Sequence, residues 1–211
     1  MNKGKLVVIS GPSGIGKGTV CKELIQKDKS MVPSVSWTTR ERRKGEEEGV
    51  TYFYRTEEQF DEMIAKGGFL EYAEIYGGRY GAEALHALRD YVAQRMREGK
   101  NVVLEIETKG AMKVMEAEKD VISIYLLPPT MKVLRDRLIN RGREGYEKAM
   151  QRFRCAYDEI DLARDYQYYI VNEQLNATVR SIMNILRGEY RNPDDLDGRI
   201  RRLKEEVSND H

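Results

Sequence analysis

Gly11-Pro12-Ser13-Gly14-Ile15-Gly16-Lys17 is the run whose residue types and spacing say most about chemistry. It fits G-x-x-x-x-G-K, a pattern that cradles phosphate when a strand precedes it and a helix follows. Glycines let consecutive backbone N–H groups turn inward on one anion. The helix that follows adds its positive end, and Lys17 adds a point charge for the terminal phosphates. The next residue is Gly18 where the pattern usually carries Ser or Thr, and a hydroxyl arrives only at Thr19. Direct metal ligation from the loop is therefore not expected with confidence, and Mg²⁺ can be held by phosphates and water instead. The competing reading is a glycine-rich turn with no ligand, which the flanking strand and helix disfavour.

Other candidates are weaker alone. Arg40-Glu41-Arg42-Arg43 is a basic turn whose guanidiniums could fork onto a second phosphate. Glu105 and Glu107 lie two apart at the end of an apolar run, so a strand there would present both on one side. Neither His86 nor His211 sits in a motif, and no Cys/His spacing suggests zinc.

These residues need elements to hold them. Leu6 to Ile9, Asn101 to Ile106, Val121 to Leu127 and Tyr168 to Val171 read as buried strands. Helices are expected over Thr19 to Lys27, over Thr130 to Ile139 with Thr130 as N-cap, and over Gln174 to Glu189. Strands separated by helices imply an α/β fold, a three-layer parallel sheet core with helices on both faces. The stretch from Ser34 to about Ala84 breaks the rhythm and reads as an insert with short strands and one helix, Glu57 to Lys66. Asn140 to Gly145 reads as a short basic loop between helices. Arg191 to His211 reads as a solvated helix or a frayed tail.

The 211 residues suit one domain, and 36 Lys and Arg against 35 Asp and Glu leave a net charge of +1. That balance argues against nucleic acid or an anionic membrane as partner. No apolar run approaches membrane length, so a cytoplasmic protein is expected. Cys21 and Cys155 fall in helical stretches and read as buried or half-buried thiols.

Ser34 to Arg40 (SVSWTTR), Arg43, Gly45-Glu46 and Gly49 follow the glycine-rich loop. Phe69 to Ala73 (FLEYA), Tyr80-Gly81, Leu104 to Glu107 with Gly110, Arg137 to Gly142 and Ile170-Val171-Asn172 come after. This ordered set resembles the guanylate kinase family, over about Lys5 to Arg187. The resemblance implies a P-loop domain over 4–188, with a core (4–33, 85–138, 153–190), a monophosphate-binding insert (34–84) and a lid (139–152). A charged tail follows at 191–211.

It implies ATP-dependent phosphorylation of GMP, and of dGMP, with Mg²⁺ accompanying ATP. Gly11, Pro12, Ser13, Gly14, Ile15, Gly16, Lys17, Gly18, Thr19, Arg137, Arg141 and Asn172 would then bind ATP. Ser36, Arg40, Arg43, Tyr52 and Tyr80 would bind the acceptor phosphate, and Glu71 would read guanine N1–H and the 2-amino group. Ala82, Glu105 and Glu107 would complete the GMP side. Lys17, Arg40, Arg137, Arg141 and Arg152 would carry catalysis.

Three positions depart from the family pattern. Ala82 stands where a Ser or Thr usually donates to guanine O6, a loss of roughly 1–2 kcal/mol. Glu107 replaces the usual Asp, and the lid lacks its Thr/Ser-rich acidic stretch. Two alternatives stand beside the GMP kinase. One is a kinase for another small acceptor, such as a different nucleoside monophosphate. The other is a non-catalytic guanylate-kinase-like binding module. A homodimer is carried as a further expectation.

Overall fold

The computed structural model describes residues 3–208, except 44, 50, 51, 76, 77, 84 and 141–144. For 70–75, 78, 80–83 and 85–90 it describes the backbone only. In chain order the elements begin with β1 (Leu6–Ser10), α1 (Lys17–Lys27), β2 (Met31–Pro33), β3 (Trp37–Thr38) and β4 (Phe53–Tyr54). Next come α2 (Glu57–Ala65), β5 (Phe69–Ile75), β6 (Gly78–Glu83), α3 (Leu85–Arg97), β7 (Asn101–Glu105) and α4 (Thr108–Ala117). Then follow β8 (Val121–Leu127), α5 (Met131–Asn140), α6 (Gly145–Glu159), a 3₁₀ turn (Ile160–Asp165), β9 (Tyr168–Val171), α7 (Leu175–Arg187) and α8 (Leu196–Ser208).

Five strands form one sheet in the order β2-β7-β1-β8-β9, and every pairing is parallel. β1 is buried along its whole length, as a central parallel strand covered on both faces must be. Val7, Val8 and Ile9 pack there with Leu104, Ile124 and Leu126 in one continuous core. All four sequence-expected strands belong to this sheet. β2 was not expected: it is three residues long, and Pro33 is tolerated because β2 is an edge strand.

The second sheet runs β4-β3-β6-β5, and β3 pairs with β4 in parallel. Its strands pack on aromatic rings. Phe60 of α2 is fully buried and stacks 4.4 Å from Phe69, which meets Trp37 edge-on at 5.7 Å. α2 starts at a capping box, with Gln59 N–H donating to Thr56 Oγ1 and Gln59 Oε1 accepting from Thr56 N–H.

Four expectations need correction. α1 begins at Lys17 rather than Thr19, because Gly16, in the left-handed region at φ 98°, is its N-cap. α7 stops at Arg187, where Gly188 at φ 76° closes it. Cys155 is exposed; it falls off the buried stripe of Ala149, Phe153 and Ala156 on α6, whereas Cys21 is buried. The tail is not merely solvated. Leu196, Ile200, Leu203 and Val207 recur at helical spacing, and Ile200 and Leu203 are each 1% exposed.

Candidate active site

All five strands of the parallel sheet end at the same edge, the edge where ligands bind in open α/β folds. Four of these ends carry the glycine loop after β1, Glu105 and Glu107 at and just past the end of β7, Pro128-Pro129 after β8 and Asn172 after β9. The loop is tight. Gly11 has φ 148°, and a Cβ there would lie 2.6 Å from Leu126 O. Gly14 has φ 84°, and a Cβ would press on Leu138. Ile15 is fully buried and so anchors the loop from inside. Lys17 is buried too. Its ammonium donates to Gly11 O at 2.8 Å and pairs with Glu107 Oε1 at 3.1 Å.

A cleft of about 580 Å³ opens beside the loop. Gly14, Ile15, Gly16, Thr19, Arg137 and Asn172 line it, joined by Val133 and Glu173. Arg137 donates to Ile15 O at 3.3 Å and to Asn172 O at 3.4 Å. Asn172 is itself committed: its Nδ2 donates to Ile15 O at 2.8 Å, and its Oδ1 accepts from Thr178 Oγ1 at 2.9 Å. Its side chain therefore holds the loop in shape. On α6, Arg152 grips Ser13 Oγ through Nε at 3.0 Å and Nη2 at 2.7 Å. Pro12 and Gly18 complete the loop, and Arg141 lies outside the described residues.

β7 ends at Glu105, so Glu107 is the residue before α4 rather than part of the strand. Both acids nonetheless stand against the glycine loop. A Cβ on Gly18 would come within 3.1 Å of Glu105 Oε1, which places that carboxylate directly against the start of α1. Glu159, at the end of α6, is a carboxylate that sequence reasoning missed. It accepts from Thr108 Oγ1 at 3.1 Å. Partial burial raises its pKa above the usual carboxylate range, and Glu107 adds to the rise; the Thr108 hydroxyl, Lys17 and the Ser13 N–H oppose it. Burial also pushes the Cys21 thiol up, with Glu105 adding and Lys17 opposing. That keeps the thiol protonated and inert.

On the second sheet, Arg40 sets a bidentate fork on Glu46, with Nη1 to Oε2 at 2.8 Å and Nη2 to Oε1 at 2.5 Å. The guanidinium lies 5.3 Å from the Tyr52 ring and 6.0 Å from the Tyr54 ring. The Arg43 side chain is exposed, and Ser36 accepts from Phe53 N–H through its backbone carbonyl. The side chains of Glu71, Tyr80 and Ala82 lie outside the described residues. Their backbones place Glu71 opposite Ala82 across β5 and β6, and Tyr80 opposite Thr38 across β6 and β3. Glu46 entered the sequence reading only as part of the family pattern, without a role, and Tyr54 was not singled out. Both belong to the dense run of acids and aromatics from Glu41 to Tyr54, which carries no spacing signal of its own.

A parallel sheet with a glycine-rich loop folded between its central strand and the next helix defines a P-loop nucleotide-binding protein. The family model described as guanylate kinase matches residues 3–189, and the chain belongs to the guanylate kinase family. It is 44% identical over 205 residues to a guanylate kinase of Clostridium perfringens (strain SM101 / Type A), covering 97% of this chain and 93% of that one. It is 42% identical over 189 residues to one of Clostridioides difficile (strain 630), covering 90% of each. Among solved structures, a guanylate kinase from Anaplasma phagocytophilum aligns with a TM-score of 0.64 at 35% identity, covering 89% of this chain and 87% of that one.

Proposed function

We propose that this chain moves the γ-phosphoryl group of ATP onto the phosphate of GMP, and of dGMP, giving ADP and GDP or dGDP. The observation that carries this is Lys17, buried at the root of the glycine loop and paired with Glu107, in a chain of the guanylate kinase family. An oxygen of the acceptor phosphate attacks the γ-phosphorus. The bond from that phosphorus to the β–γ bridging oxygen breaks, and ADP leaves with the electron pair. The nucleophile is already anionic, so no general base is needed. Alignment and preplaced positive charge supply the rate.

Lys17 and the loop N–H groups take the β- and γ-phosphates. Arg137 and Arg152 meet charge that spreads over the equatorial oxygens, and Arg141 joins them from the lid. Arg40, Arg43, Ser36, Tyr52 and Tyr80 take the acceptor phosphate. Glu71 accepts from guanine N1–H and the 2-amino group. Mg²⁺, when bound with ATP, neutralises phosphate charge; Glu105, set against Gly18, and the exposed Thr19 hydroxyl offer the hard oxygen donors it accepts, directly or through water. Residues 34–84 would close over the acceptor and 139–152 over ATP, excluding water from the transfer.

An acceptor panel tests the proposal, with ADP release followed for GMP, dGMP, IMP, AMP and UMP. GMP and dGMP are expected to lead. AMP and UMP should trail by roughly a hundredfold or more in kcat/KM, because neither offers Glu71 its donor pair. A preference for AMP or UMP would transfer the chain to a different acceptor. No turnover with any of them would favour a binding module.

A further inference from the structure

Glu46 has no role in the reading above, yet it is the hub of the proposed acceptor-phosphate site. Its carboxylate accepts four hydrogen bonds from three residues. Arg40 gives two, from Nη1 and Nη2. The Arg43 backbone N–H and the Tyr54 hydroxyl each donate to Oε2 at 2.8 Å. The backbone closes the same circuit, since Glu46 N–H donates to Arg43 O at 3.1 Å across a turn in which Gly45 takes φ 88°. The carboxylate is only partly exposed, and so is the Arg40 side chain. Arg40 also donates to Glu41 O at 2.8 Å.

A long arginine side chain has much rotamer freedom to lose before it can bind an anion in one geometry. A bidentate carboxylate fixes the guanidinium plane in advance. Here the same carboxylate ties that plane to the Arg43 main chain and to Tyr54, so one group sets the relative positions of three residues around the anion. We propose that Glu46 is a positioning residue for the GMP phosphate, acting through Arg40.

The carboxylate keeps its charge under working conditions. The Arg40 hydrogen bonds first, and the Arg43 N–H second, lower its pKa from 4.5 to about 2. The proposal rests on the GMP-kinase reading. The two are separable, because wild-type turnover with GMP tests that reading, whereas the variants below compare affinities within an active enzyme.

The test measures GMP and ATP binding to the whole chain by calorimetry, alongside steady-state KM and kcat. Glu46→Gln should weaken GMP binding roughly tenfold, the scale of a lost charge-assisted pair, with ATP affinity within about twofold of wild type. In an Arg40→Gln background, Glu46→Gln should add no further loss, because its effect runs through Arg40. Tyr54→Phe removes one donor and keeps the carboxylate; it should weaken GMP roughly two- to threefold, which covers the case in which Glu46→Gln folds poorly. Unchanged GMP affinity in Tyr54→Phe and Glu46→Gln overturns the proposal. So does an equal further loss in the Arg40→Gln background. Tighter GMP binding by Glu46→Gln would also overturn it, since the carboxylate would then be a competitor of the phosphate.

Discussion

Asn172 commits its side chain to neighbouring groups around the glycine loop. Its amide donates to Ile15 O and accepts from Thr178, and its own carbonyl receives Arg137. Ile15 belongs to the loop, Arg137 lines the cleft beside it, and Thr178 is buried on α7 behind them. Asn172→Ala would leave the buried Thr178 hydroxyl without this acceptor and Ile15 O without this donor, a cost of roughly 1–3 kcal/mol. The expected outcome is a several-fold rise in KM for ATP, with KM for GMP little changed. Steady-state kinetics on each substrate, with a thermal melt of the variant, checks it. From sequence, Asn172 was expected to bind ATP because Ile170-Val171-Asn172 belongs to the family pattern. Nothing in the letters says whether an amide at that place turns to the ligand or to the loop. Glu46 was obscured differently: it is one of four acids from Glu41 to Glu48, and only the fold tells which of them meets Arg40.

Among the elements, α8 is the one whose weight was underestimated. The family match ends at residue 189, so this helix lies outside it. Yet α8 staples the base of the α5–α6 hairpin, which carries Arg137 and Arg152. Glu206 accepts from Met131 N–H at 2.7 Å and so caps the start of α5. Arg199 donates to Pro129 O at 2.7 Å. Lys204 pairs with Asp161, and Asp197 with Arg164 at 2.8 Å. The stripe of Leu196, Ile200, Leu203 and Val207 was present in the sequence, but the surrounding Arg, Lys and Glu disguised it as a solvated tail. A chain ending at Asp194 keeps the Asn192 and Pro193 contacts to Tyr169 and loses only the helix. Burial of Ile200 and Leu203 contributes about 1.5–3 kcal/mol each, so the truncation should lower Tm by roughly 10 °C. Calorimetry reads that directly, and an unchanged Tm would show that α8 contributes nothing to the hairpin.

Across the whole molecule, the parallel sheet was legible because each of its four long strands is a run of apolar, often β-branched residues that must be buried on both faces. The glycine loop was legible because its chemistry fixes both its residue types and its flanks. The second sheet was not. Strands as short as Trp37–Thr38 and Phe53–Tyr54 have no period to read, and their pairing is set by contacts far apart in the chain. The acceptor side was therefore known as a set of residues before it was known as a place. With a net charge of +1 and no helix among the described residues long and apolar enough to cross a membrane, recognition of anions falls to these local clusters. The five-stranded sheet carries the glycine loop and Lys17, and the four-stranded sheet carries the Arg40–Glu46 cluster.

The central claim is that phosphate passes between the two sites without visiting water. A ³¹P NMR time course of the wild-type chain with Mg²⁺ and equal ATP and GMP follows every phosphorus at once. The expected result is ADP and GDP growing in step as ATP and GMP decline, with no inorganic phosphate, and no change at all when Lys17→Ala replaces the wild type. ATP decaying to ADP and inorganic phosphate while GMP stays intact would contradict it, as would normal GDP formation by Lys17→Ala.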